Sequence, residues 1–445
     1  MTKFKILIGL LLTTLVLAVS ANVAQSQFSN ILFAAVYERD RTDDADSGDI
    51  WVNIHRTDGV VEEVQVTDTE FDDENNPSIA MASNGNMIVT WDVEGNTVYY
   101  SVLDLAGNFI QNPTALSTGP NDRDACVAVT PNNVVFVVWE SYDGASADDV
   151  AYVTMDVNGN NVSAEKRITA VAQDITDPTV AASTKNNDDD RVVIVWEDYD
   201  GVNDQVAFTI LDSNGNTLVA KKTITTTTKS NEEINAAILP NGNTVIVWEG
   251  DGISPGDDVG YAIIDSSGGL VLPVTFLARP NDIDSPCVAA TPESNSIIVW
   301  DEEDAINNDD IWYTVLGSNG NTIKPVSQLT VSDEDVDEPD VAVDQTGKVV
   351  IIYEQPLSPD DRIDFSILNS IGNNLGGGQL TDGIPDDTLD GDGGWRQVAT
   401  RSGGQAPVGG IVAQVNKLMI LAPYLVLVGL IIVVSTVYII KRRKD

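Results

Sequence analysis

One phrase recurs seven times along this chain: an apolar, β-branched run closed by an aromatic residue and an acid. Five copies end at Trp91-Asp92, Trp139-Glu140, Trp196-Glu197, Trp248-Glu249 and Trp300-Asp301, and Tyr37-Glu38 and Tyr353-Glu354 close the other two. Successive copies lie 48 to 57 residues apart, which is the length of a four-stranded propeller blade.

A full unit reads as a short strand A (Pro178 to Ala182), a turn, an apolar strand B (Arg191 to Trp196), an acidic loop, strand C (Gln205 to Leu211), an Asn-Gly turn and strand D (Leu218 to Thr223). Such β-branched runs bounded by Gly, Asn, Asp or Pro are strands. The first unit lacks strand A and opens on strand B at Ile31. Its counterpart stands near the other end, where Arg396 to Thr400 matches the A pattern of Pro339 to Val343 and no strand B follows. Pairing that strand with the first blade closes a ring and removes the exposed edges of an open array. The expected fold is all-β: a seven-bladed β-propeller over residues 28–401, closed by its C-terminal strand.

The termini point to the cell surface. Lys3 and Lys5 precede the apolar run Ile6 to Val19, and Val19-Ser20-Ala21 offers a small-residue cleavage site, so residues 1–21 read as a signal peptide. Residues 402–417 form a linker. Leu418 to Ile440 is 23 residues without a charge, long enough to cross a bilayer as a helix. The basic tail, 441–445, places that end in the cytoplasm and the propeller outside. The expectation is a single-pass protein held in the cell membrane by its C-terminal helix.

Outside these segments and Lys417 the chain carries 67 acidic and 17 basic residues. Such a surface repels nucleic acid and anionic lipid, which excludes nucleic-acid partners. The acids are not scattered. In a meandering blade the B-to-C and D-to-A connections share one face, and 52 of the 68 acids fall in them. The opposite face carries turns such as Asp156 to Asn160 and Asp212 to Asn216, where Asn and Gly supply the positive φ of a hairpin.

Within the acidic connections the pattern repeats. Strand B ends on an acid and strand C begins on one or two: Glu140 with Asp148 and Asp149, Glu249 with Asp257 and Asp258, Asp301 with Asp309 and Asp310. The D-to-A connections hold Asp282 with Asp284 and Asp335 with Asp337. Packed carboxylates repel unless a cation neutralises them, and Ca²⁺ takes six to eight oxygens from such loops. These thirteen acids are the candidate Ca²⁺ ligands; a solvated acidic rim is the alternative. The nearest approach to an EF-hand loop, Asp386 to Asp392, lacks the closing Glu.

Little supports catalysis. The one histidine, His55, falls within strand C of blade one, so no Ser-His-Asp arrangement can be assembled. A pair of carboxylates could hydrolyse a glycoside, but no particular pair is marked. Asn161-Val162-Ser163 is an N-glycosylation sequon. Cys126 and Cys287 hold the same place in strand A three blades apart, across the channel, too far for a bridge.

The phrase Val-Val-Ile-Val-Trp-Glu, the following Asp-Gly, and the Ile-Leu-Asp strand with its Asn-Gly-Asn turn resemble the repeats of large secreted and surface-attached bacterial and archaeal propeller proteins. The likeness covers residues 30 to 402 and implies display, adhesion or binding without naming a ligand. The Ser-x-Asp-x-Gly-x-x-Trp box of sialidases is absent, and the Trp-acid pair ends strand B, not strand C as in WD repeats. The expected function is a membrane-anchored extracellular binding, adhesion or surface-assembly module, with a protein or glycan ligand on its acidic face. A glycan-active hydrolase or lyase, and a structural component of a cell-envelope lattice, remain the alternatives.

Overall fold

The computed structural model describes residues 31–41, 44–56, 61–68, 73–93, 95–142, 148–168, 175–183, 190–228, 230–250, 256–303, 308–332, 335–355, 360–381, 384–385 and 397–399. The chain divides into two compact units, Met1–Val408 and Gly409–Asp445. The second unit, the signal peptide, the linker, the apolar run 418–440, the basic tail and the Asp386 to Asp392 loop lie outside the described residues. Among the described residues no helix is long and apolar enough to cross a membrane.

Seven antiparallel sheets follow one another along the chain, and together they make a seven-bladed β-propeller. Blade four is representative: Ile175–Ala182, Arg191–Tyr199, Asp204–Asp212 and Thr217–Thr223 pair in sequence order. In blade one Ile31–Arg41, Asp44–Arg56 and Val61–Gln65 form three strands, and Gln397–Ala399 pairs with the first through Ala34, Ala35 and Val36. Blade seven gains an additional short strand, Ile384–Pro385, alongside Asp360–Asn369.

Strand alternation builds the core. Successive side chains of strand B point to opposite faces of the sheet, so each blade feeds the two apolar layers that separate it from its neighbours. Val193 and Val195 pack toward blade five with Ile234, Ile246 and Trp248, while Val192, Ile194 and Trp196 pack toward blade three with Phe136 and Val138. Trp91, Trp139, Trp196, Trp248 and Trp300 are fully buried in these layers. Gly260 shows how closely one of them fits, because a Cβ there would meet Trp248 Nε1 at 2.3 Å.

The strands differ from the sequence expectation at their acidic ends. Strand B of blade four runs on through Glu197 and Asp198 to Tyr199, and strand A begins at Ile175, not Pro178. Both acids are buried. They belong to the sheet and not to a loop, because groups of the neighbouring chain segments take up their oxygens.

Candidate functional site

Strand A is the innermost strand of each blade, and in blades two to six its pairing with strand B is broken at one place: between Asn75 and Ser78, Arg123 and Cys126, Thr176 and Thr179, Glu232 and Asn235, and Asp284 and Cys287. A bulge at each break turns one residue into the left-handed region. These residues are Asn76 (φ 53°), Asp124 (53°), Asp177 (49°), Glu233 (52°) and Ser285 (51°), and Glu338 (46°) occupies the same place in blade seven. A non-glycine residue held there costs on the order of 1–3 kcal/mol, and such strain gathers at functional sites. Four of the six precede proline, which disfavours the helical region for them.

The six residues ring one cavity of about 190 Å³ on the inner side of the strand-A layer. Pro77, Pro178, Pro286 and Pro339 line it below them, with Cys126 and Cys287 on its wall. Neither cysteine forms a disulfide.

The acid that closes strand B holds this ring in place. Glu233 N donates to Glu197 Oε1 at 2.7 Å, Asp124 N to Asp92 Oδ2 at 3.1 Å, and Glu338 N to Asp301 Oδ2 at 3.1 Å. In each case the acid of one blade accepts the N–H of the bulged residue in the next. Ser285 N instead donates to Glu233 Oε2 at 2.5 Å. The Asn76 side-chain amide joins Asp92 and Asp124, at 2.9 Å to each. The repeated Trp-acid phrase therefore packs an indole between blades and ties one blade to the next.

The consequence is a crowd of carboxyl groups with few cations. Burial, then the charge of Asp92, pushes Asp124 up to about 6. Asp177 is likewise pushed up to about 6 by burial and by Asp124. Burial and Asp177 raise Glu197 to about 8, burial raises Glu233 to about 7, and Glu249 reaches about 10 through burial and the charges of Glu233 and Asp284. Burial also raises Asp301 and Asp284, which face each other across the strand pair. Asp301 Oδ1 is buried without a hydrogen-bond partner among the described residues. Arg123 is the cation of this ring: it is pressed against Glu140, 3.3 Å from Asp124 and 3.7 Å from Asp148. Burial raises Glu140, and the guanidinium opposes that rise.

The thirteen candidate ligands divide into two sets. Adjacent residues of a strand point to opposite faces, and each doublet at the start of strand C is split accordingly. Asp148 shares Arg123 with Glu140, while Asp149 takes Arg167 at 3.0 Å. Asp258 accepts Arg279 N at 2.7 Å, and Asp310 accepts Thr330 Oγ1 at 2.8 Å and Ser332 N at 3.1 Å, so both cap the end of strand D. Asp282 Oδ1 accepts Asp257 N at 2.7 Å and Asp335 Oδ1 accepts Asp309 N at 3.2 Å, which ties each D-to-A connection to strand C. Glu249, Asp284, Asp301 and Asp337 remain near the ring, within electrostatic reach of one another or of Glu233. Among the described residues, no three His, Cys, Asp or Glu side chains gather closely enough to hold one metal ion.

In the C-to-D turns the carboxylates of Asp156, Asp212 and Asp265 are stabilised instead. Asp265, in a C-to-D turn, is held below the usual carboxylate range by the Ser267 hydroxyl and the Gly269 and Ser267 N–H groups. Gly159, Gly215 and Gly320 have φ of 76°, 73° and 82° in the equivalent turns, which is hairpin geometry. Asn161 donates its amide to Asp156 Oδ2 at 2.8 Å. His55 stacks on Phe33 at 4.9 Å, its pKa lowered by burial. It pairs near the start of strand B, at the end of the blade opposite the ring.

Sequence reasoning missed the bulged ring. Its residues are Asn, Asp, Asp, Glu, Ser and Glu, too mixed to stand out, and the only signal was the acid, amide or hydroxyl before Pro in four of them.

No protein family and no curated protein matches the chain. Among solved structures it is similar to the polysaccharide lyase Uly1 (10% identity, 72% of this chain and 85% of that one, TM-score 0.52). It also resembles a Dyadobacter fermentans protein of unknown function (11% identity, 68% and 96%, TM-score 0.49) and a PL25 ulvan lyase (10%, 68% and 84%, TM-score 0.47). What is shared with Uly1 is the fold.

Proposed function

We propose that this chain is a membrane-anchored extracellular propeller, closed by its C-terminal strand, that serves as a binding or surface-assembly module with a cation-seeking channel mouth. The carrying observation is the ring itself: bulged residues held left-handed bring Asp124, Asp177, Glu233 and Glu338 around one cavity with Arg123 as their cation. Groups pushed up to about 6 to 8 share protons near neutral pH, and a bound cation takes the place of those protons.

Calcium suits the donors, which are hard oxygens. The carboxylates do not form a ready cage, so the expected affinity is that of extracellular modules, on the order of 10⁻⁴–10⁻³ M. The partner surface is then the acidic face, with calcium bridging to a protein or glycan. The second reading, a glycan-active hydrolase or lyase, draws support from the fold shared with Uly1 and from raised carboxyl groups of the kind general-acid chemistry uses.

The deciding experiment adds CaCl₂ to the full chain in weak buffer near pH 6.5 and follows proton release and melting temperature. Release of protons together with a rise in melting temperature, equivalent to about 2.7 kcal/mol at a hundredfold excess over Kd, supports the binding reading. Neither change, with products released from a glycan panel, transfers the assignment to the enzyme.

A further inference from the structure

The outer strand of the blades carries a second repeated bulge. In blade four Leu211 pairs with Thr217 and Ile210 with Val219, which leaves Leu218 as the inserted residue. The same two-against-one step inserts Ile110, Val271, Ile323 and Leu375 in blades two, five, six and seven. Each stands three residues after the turn glycine, and Val162 holds that place after Gly159 in blade three.

All six are exposed, Leu375 by 57% and Leu218 by 53%. A bulge re-aims a side chain away from the pleat, and here it aims an apolar one into solvent in five blades, with Val162 exposed at the matching sequence position in blade three. Isolated apolar residues are ordinary on a surface. A ring of them, one in each of six blades, is not. They follow the C-to-D turns and so lie on the acid-poor face. Lys222 and Lys324 sit there too, their ammonium groups bonded to Gly268 O at 2.8 Å and Gly372 O at 2.6 Å. The strand Gln397–Ala399, antiparallel to Ile31–Arg41, runs toward the same face.

We propose that this apolar ring docks the propeller face-on against a lipid bilayer, an inference that rests on the membrane anchoring proposed above. Six side chains spread around a circumference are covered together by a protein of matching symmetry or by a plane that has none. A bilayer surface is such a plane, and it admits apolar side chains at the headgroup boundary with lysines beside them. The acid-rich face then points outward. A glycan on Asn161, next to Val162, would hold blade three off the lipid, so the two are mutually exclusive.

The test uses the full chain carrying Cys126→Ala and Cys287→Ala, reconstituted in phosphatidylcholine vesicles, with a fluorophore on Leu218→Cys, Ile323→Cys or Val202→Cys. Val202 is 75% exposed in the B-to-C connection of blade four, on the acidic face. Nitroxide-labelled phosphatidylcholine should quench the first two sites several-fold more than the third in chains that float with the vesicles. Floating chains quenched equally at all three sites, or most at Val202→Cys, overturn the docking and leave the anchor standing. Chains that do not float refute anchor and docking together. Absent quenching at Leu218→Cys with a doubled molar mass in detergent assigns the ring to a second copy and also overturns the proposal.

Discussion

Replacing Asp177 by Asn tests whether the channel ring is electrostatically crowded. The backbone there is left-handed, at φ 49°, and Asn tolerates that region best among side-chain-bearing residues. Asn76 already occupies the equivalent place in blade two. In the folded protein burial and the Asp124 charge push the Asp177 carboxyl from 3.8 up to about 6, against the pull of Arg123. The native state therefore keeps its proton to higher pH than the unfolded chain does. Its stabilising contribution is complete below the unfolded value and lost as pH rises through about 6. A shift of about two pKa units corresponds to roughly 3 kcal/mol, and relaxation of the coupled carboxyl groups brings the expected gain to about 1.5–3 kcal/mol. For a fold of roughly 370 residues this raises the melting temperature by about 2–4 °C. Thermal melts of the full chain, wild type against Asp177→Asn, should show that gain near pH 8 and almost none near pH 4. An equal gain at both pH values, or a loss near pH 8, would refute the crowding.

Two further outcomes probe the contacts between blades. Tyr152→Phe removes the hydrogen bond from its hydroxyl to Gly215 O at 2.9 Å and should cost about 1 kcal/mol in denaturant unfolding; Phe208 stands at the matching place in blade four without a hydroxyl, and an unchanged midpoint would show the bond to be replaced by water. Deleting 397–399 removes the strand that pairs with Ala34 to Val36, uncovers an edge, and should bring aggregation or a large loss of melting temperature; a variant that melts like the wild type would remove the closure argument.

The blade count was legible because it rests on two robust signals, the 48–57-residue period and the two-residue alternation that feeds both inter-blade layers. The bulges were not. A bulge changes register by one residue without changing composition, so residue types alone leave Thr176-Asp177 in the connection ahead of strand A and make Leu218 the ordinary first residue of strand D. That shift nevertheless decides the chemistry, since it turns Asp177 toward the channel and Leu218 out to solvent.

The acid doublets carry the same lesson in the other direction. Read as loop residues, Asp148 and Asp149 form one candidate site; as neighbours in a strand they must part, and they do, one toward Arg123 and one toward Arg167. Five of the thirteen acids that seemed to ask for a cation thus have a structural occupation, Asp149 on Arg167, Asp258 and Asp310 capping strand D, and Asp282 and Asp335 holding a connection. The acids around the ring, Asp92, Asp124, Asp177, Glu197, Glu233, Glu249, Asp284 and Asp301, cannot all be so employed, because the N–H groups of the bulged residues are fewer than the oxygens crowded beside them. Their raised proton affinities express that shortage, and what relieves it, a proton or a cation, is the chemical question this propeller poses to its surroundings.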